Sequence, residues 1–245
     1  MVNAWFHMEA LPATGGLVHL SKQEAKHATG ARRLGVGDSI TLFDGHGHLA
    51  DARLTGQRDR DGNLEIEAEA MRKVDQPAHD IELAASLPKG DRLGTMLDMA
   101  TQAGMSAFRP LECEWSVVKA SAMRSDRTDR WQRIFLEACK QSAQAWLPRI
   151  EPSRDPVSVA KQSVAANRRV LVAHPGGVPI ADALDGSFAG INLLIGPEGG
   201  FSSREQDELL AAGAVACSLG APILRVETAA VVGVWAIRSA LSEKV

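Results

Sequence analysis

The chain has 245 residues, 45% of them hydrophobic and 23% charged, with a formal net charge of −3. This is length enough for one large domain or two of ordinary size, and the composition is that of a soluble globular protein; no apolar run approaches the ~18 residues that a membrane helix needs. The net negative charge excludes a protein that coats nucleic acid indiscriminately, because such binding comes from neutralised phosphates.

The start, MVNAWFHMEALPATGG, has no basic segment leading into an apolar one, so no secretory signal is expected and the expected location is the cytoplasm. From residue 16 to about 72, short apolar stretches alternate with turn signals. The alternation in ITLF and LEIEAEA, with Asp44-Gly45 and Asp61-Gly62 as turns, predicts antiparallel strands and hairpins of a small β-barrel. Within it KQEAKHATGARRL has helical spacing and presents Lys22, Lys26, His27, Arg32 and Arg33. DGHGH invites a metal reading, but Asp-Gly between apolar stretches is first a hairpin turn, and no metal is expected.

After VDQPAHD the pattern changes to strands alternating with helices, which predicts an α/β domain with a mainly parallel sheet. IELAASL reads as a strand and GDRLGTMLDMATQAG as a helix stopped by Gly104. DRWQRIFLEACKQSAQAW places Trp131, Ile134, Phe135, Ala138 and Ser142 on one buried face. Around it, residues 119 to 140 carry Lys119, Arg124, Arg127, Arg130, Arg133 and Lys140 against Asp126, Asp129 and Glu137. Together with the cluster at residues 22 to 33, this suggests a selective partner for an acidic polymer; ordinary solvated helix faces are the competing reading. RRVLVAHPGG and INLLIGPEGG are apolar strands, each running into a glycine turn, and AVACSLGAPIL is a third. The final helix, TAAVVGVWAIRSALSEKV, is rich in small residues, with Trp235 expected in the core. Cys113, Cys139 and Cys217 are odd in number and far apart, which fits neither a disulfide framework nor zinc spacing. They read as reduced core thiols.

The segment LLIGPEGGFSSREQ joins a strand to a helix through a glycine turn, where backbone N–H groups can face a ligand. Ser202 with Glu205, or Ser203 with Gln206, forms a capping box that starts the helix. The turn is neither a P-loop nor a dinucleotide fingerprint. Three such junctions at the carboxyl ends of neighbouring parallel strands would make a pocket lined by backbone.

LLIGPEGGFSSREQDELL followed by SLGAPILRVETAAVVGVWAI resembles the paired signature of the ribosomal RNA small-subunit methyltransferase E family, in the SPOUT trefoil-knot superfamily. HATGARRLGVGDSITLFDG, LPKGDR, RPLECEWSVVK, RWQRIFLEACKQS and AHP extend the likeness over nearly the whole chain. The resemblance implies a PUA-like barrel over residues 1–73 that helps hold RNA. It also implies a knotted α/β domain over residues 74–245 that binds S-adenosylmethionine and forms a homodimer. The implied activity is methylation of N3 of a uridine in 16S ribosomal RNA. By position, Gly196, Pro197, Glu198 and Gly199 match one cofactor loop, Leu219, Gly220, Ile223, Leu224 and Arg225 the other, and Glu227 and Thr228 open the last helix.

A uridine N3 carries a proton, so methyl transfer requires its loss and stabilisation of the resulting anion. Arg225 is the first candidate for binding the base or its anionic oxygens, because a guanidinium stays charged and presents fixed donors; a salt bridge to Glu227 or a dimer contact is its structural alternative. Glu198 could accept the N3 proton, but an anion beside a helix N-terminus is favoured as the ion. Its expected role is to hold the loop through backbone N–H groups and to balance the cofactor's sulfonium. His174 could touch adenine or simply pack. Lys22, Lys26, Arg32, Arg33, Arg124, Arg130 and Arg133 are the candidate RNA contacts.

Departures from the family pattern cluster. Gly94, Met99 and Gln102 stand where an acidic residue, a lysine and a glutamate are usual. Glu114-Trp115 replaces a Glu-Arg pair, and Lys140-Gln141-Ser142-Ala143-Gln144 replaces Glu-Gln-Ser/Cys-Gly-Arg. Losing acids and bases together points to loss of a coupled ion-pair network, since removing one partner of a buried pair costs ~3–5 kcal/mol. Two classes of function follow: a methyltransferase, acting on this base or on another RNA target, and a non-catalytic RNA-binding or ribosome-assembly protein. The intact cofactor loops favour the first.

Overall fold

In the computed structural model, which describes residues 3–119 and 126–242, the chain divides into two units. One comprises residues 1–76 with 136–147, the other 77–135 with 148–245.

The first unit is built on a six-stranded sheet of β1 (Ala4–His7), β2 (Gly16–Leu20), β3 (Ser39–Phe43), β4 (His48–Arg58), β5 (Leu64–Ala68) and β6 (Arg72–Lys73). The strand order is β1-β3-β4-β5-β2, with β6 on β4. The predicted hairpins are present. The Asp44 carboxylate accepts from the N–H groups of His46 and His48 to make the β3–β4 turn, and Asp59 organises the β4–β5 turn in the same way through Asp61 and Asn63. The pairing is antiparallel except between β1 and β3, which run parallel. The inward positions Phe6, Leu20, Ile40, Leu42, Leu54, Leu64 and Ile66 fill the core.

The predicted first helix is short. α1 (Lys22–Lys26) passes into a π-turn at His27–Ala31. His46 and His48 belong to the β3–β4 hairpin, bonded to Asp44, and the described residues contain no group of three or more metal-ligating side chains.

The second unit is a parallel sheet in the order β12-β10-β11-β7-β8-β9. Its strands are β7 (Ile81–Ser86), β8 (Ala107–Leu111), β9 (Arg149–Ile150), β10 (Arg168–Pro179), β11 (Gly190–Ile195) and β12 (Val215–Ser218). Every residue of β7 and β11 is buried, as expected for central strands covered on both faces. The helices are α2 (Arg92–Gln102), α3 (Asp126–Ser142), α4 (Pro156–Ala165), α5 (Ser203–Ala211) and α6 (Val226–Ser242). In α3, Trp131, Phe135 and Ala138 are buried as their spacing predicts. Beyond Phe135 the helix belongs to the first unit.

Two expectations are corrected. AHPGG does not end its strand: β10 continues to Pro179 through a register shift between Ala173 and Val178. The extra residues are absorbed as an irregularity, and a Cβ on Gly177 would lie 2.5 Å from the Cys217 nitrogen, so only glycine allows this approach to β12. Trp235 is not in the core either, being 62% exposed on α6. The small Ala229, Ala230 and Gly233 take the buried side of that helix.

Candidate functional site

β7 leads outward to β8 and β9, whereas β10, β11 and β12 lie on its other side. Ligands bind outside the carboxyl ends of parallel strands where the strand order divides. At this edge lie the loops after β7, β8, β11 and β12.

The loop after β11, Gly196–Ser202, is fixed from both sides. Its Gly200 N–H donates to the Pro197 carbonyl at 2.8 Å. Ser202 and Glu205 form the predicted capping box at the start of α5. A Cβ on Gly196 would meet the Gly200 carbonyl carbon and the Phe201 ring at 3.2 Å, and Gly220, in the loop after β12, sits at φ +117°, a conformation that L side chains rarely adopt. These turns bring backbone close to a cavity of about 340 Å3 between the continuation of β10 and the loops after β11 and β12.

Of the sequence-predicted residues, Gly196, Pro197, Glu198, Gly199, Leu219, Gly220, Ile223 and Leu224 all line this cavity, together with His174, Phe201 and Gln206. The His174 ring accepts from the Gly176 N–H. Thr228 is exposed in the first turn of α6 and is not among the lining residues.

A second cavity, of about 630 Å3, shares Glu198 and Gly199 with the first and is otherwise lined by Lys89, Arg92, Trp115, Val117 and Arg225. Arg225 thus belongs to this second space. The Arg92 guanidinium lies 3.6 Å from Glu198 Oε1 and 3.5 Å from Glu227 Oε1. Arg92 occupies the position beside Glu227 that the alternative reading gave to Arg225, and Arg225 makes no ion pair among the described residues. Among the described residues Glu198 pairs with Arg92, which links β11's loop to the start of α2. Glu227 Oε2 is buried with no hydrogen-bond partner among the described residues. Lys89 and Arg92 fall within the quoted LPKGDR, and Trp115 stands out only as a departure from a pattern. None has a periodicity that marks it as part of a site.

The candidate RNA contacts are exposed where the structure describes them: Lys22, Lys26, Arg32 and Arg33 in the first unit, Arg130 and Arg133 on α3 in the second. Arg124 lies outside the described residues. At the departures, the supposed loss of ion pairs is partly a replacement. Lys140 is buried in the first unit, 2.9 Å from Glu24 and 3.0 Å from Glu137.

An RNA methyltransferase domain model matches residues 75–238 and an RNA methyltransferase PUA domain model matches residues 20–61. The chain is 32% identical to the ribosomal RNA small subunit methyltransferase E of Mycobacterium bovis, over 97% of this chain and 92% of that protein. To the Bacillus subtilis protein of the same name it is 29% identical, over 89% and 88%. A crystal structure of the Neisseria gonorrhoeae ribosomal RNA small subunit methyltransferase E bound to S-adenosyl methionine superposes with a TM-score of 0.82 at 28% identity, covering 97% of both chains.

Proposed function

Because the chain belongs to the ribosomal RNA small subunit methyltransferase E family, we propose that it transfers a methyl group from S-adenosylmethionine to N3 of a uridine in 16S ribosomal RNA. The observation that carries this reading is the pair of cavities meeting at Glu198 and Gly199: one lined by glycine turns and apolar side chains, the other by Lys89, Arg92, Arg225 and the Trp115 indole.

The first cavity suits S-adenosylmethionine. The 196–200 turn, Leu219, Gly220, Ile223 and Leu224 would hold it, because their bare backbone can approach a purine edge and their apolar side chains can cover its faces. The cofactor, when bound, supplies an electrophilic methyl on a sulfonium. Its positive charge is matched by the Glu198 carboxylate at the boundary of the two cavities.

The acceptor side follows from the second cavity. N3 must first give up its proton, to solvent, and the resulting charge spreads to the uracil oxygens; the N3 lone pair would then form the new N–C bond as the methyl's S–C bond breaks, leaving a neutral thioether. Arg225 is the group to meet those oxygens, being exposed and without an ion pair among the described residues, whereas Arg92 is divided between Glu198 and Glu227. A guanidinium aimed at developing charge lowers the barrier most in a site that excludes water. Exposed Lys22, Lys26, Arg32, Arg33, Arg130 and Arg133 supply salt-sensitive contacts to phosphate. The protein works as a cytoplasmic homodimer, a proposal supported by Trp235 and the 89%-exposed Ile223 at and near α6, large apolar groups of the kind that anchor interfaces.

Mass spectrometry of nucleosides from small-subunit RNA, before and after incubation with the protein and S-adenosylmethionine, tests the reading. 3-Methyluridine is the expected product. A different methylated nucleoside would move the target base, and no methylation with intact cofactor binding would leave an RNA-binding protein.

A further inference from the structure

Trp115 is half exposed, yet the loop that carries it is anchored on both sides. Its ring lies against the cofactor-loop turn, so that a Cβ on Gly199 would stand 3.3 Å from its Cε3. The residue before it is tied down twice: the Glu114 N–H donates to Glu205 Oε1 at 2.9 Å, and the Glu114 carboxylate accepts from the Ser202 hydroxyl at 2.8 Å. The residue after it is buried. The Ser116 hydroxyl accepts from the Cys113 N–H at 3.0 Å and lies 3.1 Å from the Ser86 hydroxyl at the end of β7. A loop so strongly anchored has no need of an exposed indole for its own stability.

What surrounds the exposed face is cationic. Lys89, Arg92 and Arg225 share the second cavity with it, Glu198 is the one carboxylate among the described lining residues and is paired to Arg92, and Val117 is the other large apolar neighbour described there. An exposed aromatic face that shares a cavity with cations such as Lys89 and Arg225, unpaired among the described residues, can recognise a nucleobase by stacking while the cations take the adjoining phosphate or the base's own oxygens. We propose that Trp115 is the stacking platform on which the acceptor base lies, and that the capping box of α5, through Glu114, sets the plane of that platform relative to the cofactor turn. This rests on the methyltransferase reading for the identity of the reaction, but the binding role stands on the cavity itself. Ser202 and Glu205 then act as positioning residues: one pair of side chains starts α5 and orients the indole.

The test compares wild-type protein with Trp115→Ala and Trp115→Phe. Three quantities are read: S-adenosylmethionine affinity by calorimetry, RNA affinity by titration with a small-subunit RNA fragment, and kcat and KM for methyl transfer. The expected result is a roughly 10- to 100-fold weaker RNA affinity and a matching rise in KM for Trp115→Ala, with Trp115→Phe within about threefold of wild type and cofactor affinity unchanged in both. Wild-type RNA affinity in Trp115→Ala would overturn the proposal. So would equal loss in both variants together with loss of cofactor binding, which would make the indole a structural prop for Gly199. If the wild type binds RNA but transfers no methyl, the functional reading fails on its own, and the RNA titration still decides the role of Trp115.

Discussion

Lys140→Met should cost the first unit about 3–5 kcal/mol. The Lys140 side chain is 5% exposed and that of Glu24 11%, with Nζ and Oε1 2.9 Å apart. At that distance the attraction is about 6 kcal/mol for an effective dielectric near 20, the same order as the cost of taking both ions out of water. The intact pair is therefore close to neutral against an apolar pair, whereas either ion alone is strongly unfavourable. Glu24 Oε2 already lacks a hydrogen-bond partner among the described residues, so removing Lys140 leaves Glu24 with no ion pair among them. The contact to Glu137 adds little, because that carboxylate is more than half exposed and exposed pairs are worth little. Urea unfolding followed by hydrogen exchange in β3, β4 and β5 reads the first unit directly. Glu24→Leu combined with Lys140→Met should recover the stability to within about 1 kcal/mol of wild type. Equal losses in the single and double variants would refute the reasoning, since the pair's geometry would then matter less than lost packing.

Three further outcomes follow from the second unit and the thiols. Burial of Asp80 raises its proton affinity, but the hydrogen bond from Arg168 and the charges of Arg149 and Arg168 outweigh it and hold its carboxyl below the usual range. The unfolded chain, at an ordinary value of about 3.9, takes up the proton first, so the stabilisation is complete above about pH 4 and is lost as pH falls through the lowered folded value. Acid titration of stability should be flatter in Asp80→Asn than in wild type, and an identical slope would remove Asp80 as the cause. Burial pushes the thiols of Cys113, Cys139 and Cys217 up to about 12, so a thiolate-selective reagent at pH 8 should leave the native protein unlabelled and modify all three in concentrated urea; rapid native labelling would contradict their burial. Trp235→Arg should shift a micromolar dimer to monomer in light scattering, by at least about 30-fold in dissociation constant, and a wild-type monomer would dispose of the dimer proposal.

The parts of the site that lie on one continuous segment were legible from residue order. A glycine turn between an apolar run and Ser202-x-x-Glu205 has a local cause, steric and hydrogen-bonding, that needs no distant partner. The same holds for the hairpins at Asp44 and Asp59 and for the buried stripe of α3, where spacing alone selects the inward face. Trp235 escaped that logic. An apolar residue at helical spacing points to a buried stripe, but on α6 the small residues take the packed side and the indole is left outside.

Charge partners were not legible, because an ion pair is a distance and not a pattern. Arg225 and Glu227 are two apart in sequence, yet the carboxylate faces Arg92 from the start of α2. Lys140 reads as one more cation on a basic helix until its head group is found beside Glu24. By itself the sequence determined which short segments form strands, turns and caps, and which motif marks the cofactor loops, because those depend on neighbours within a few residues. Only the tertiary structure decided that the loops after β7, β8, β11 and β12 bring Arg92, Trp115, Glu198 and Arg225 to one cavity, and that β10 runs on through its glycines. Both outcomes depend on which strands lie side by side in the parallel sheet, and that order is set by long-range burial rather than by any local preference.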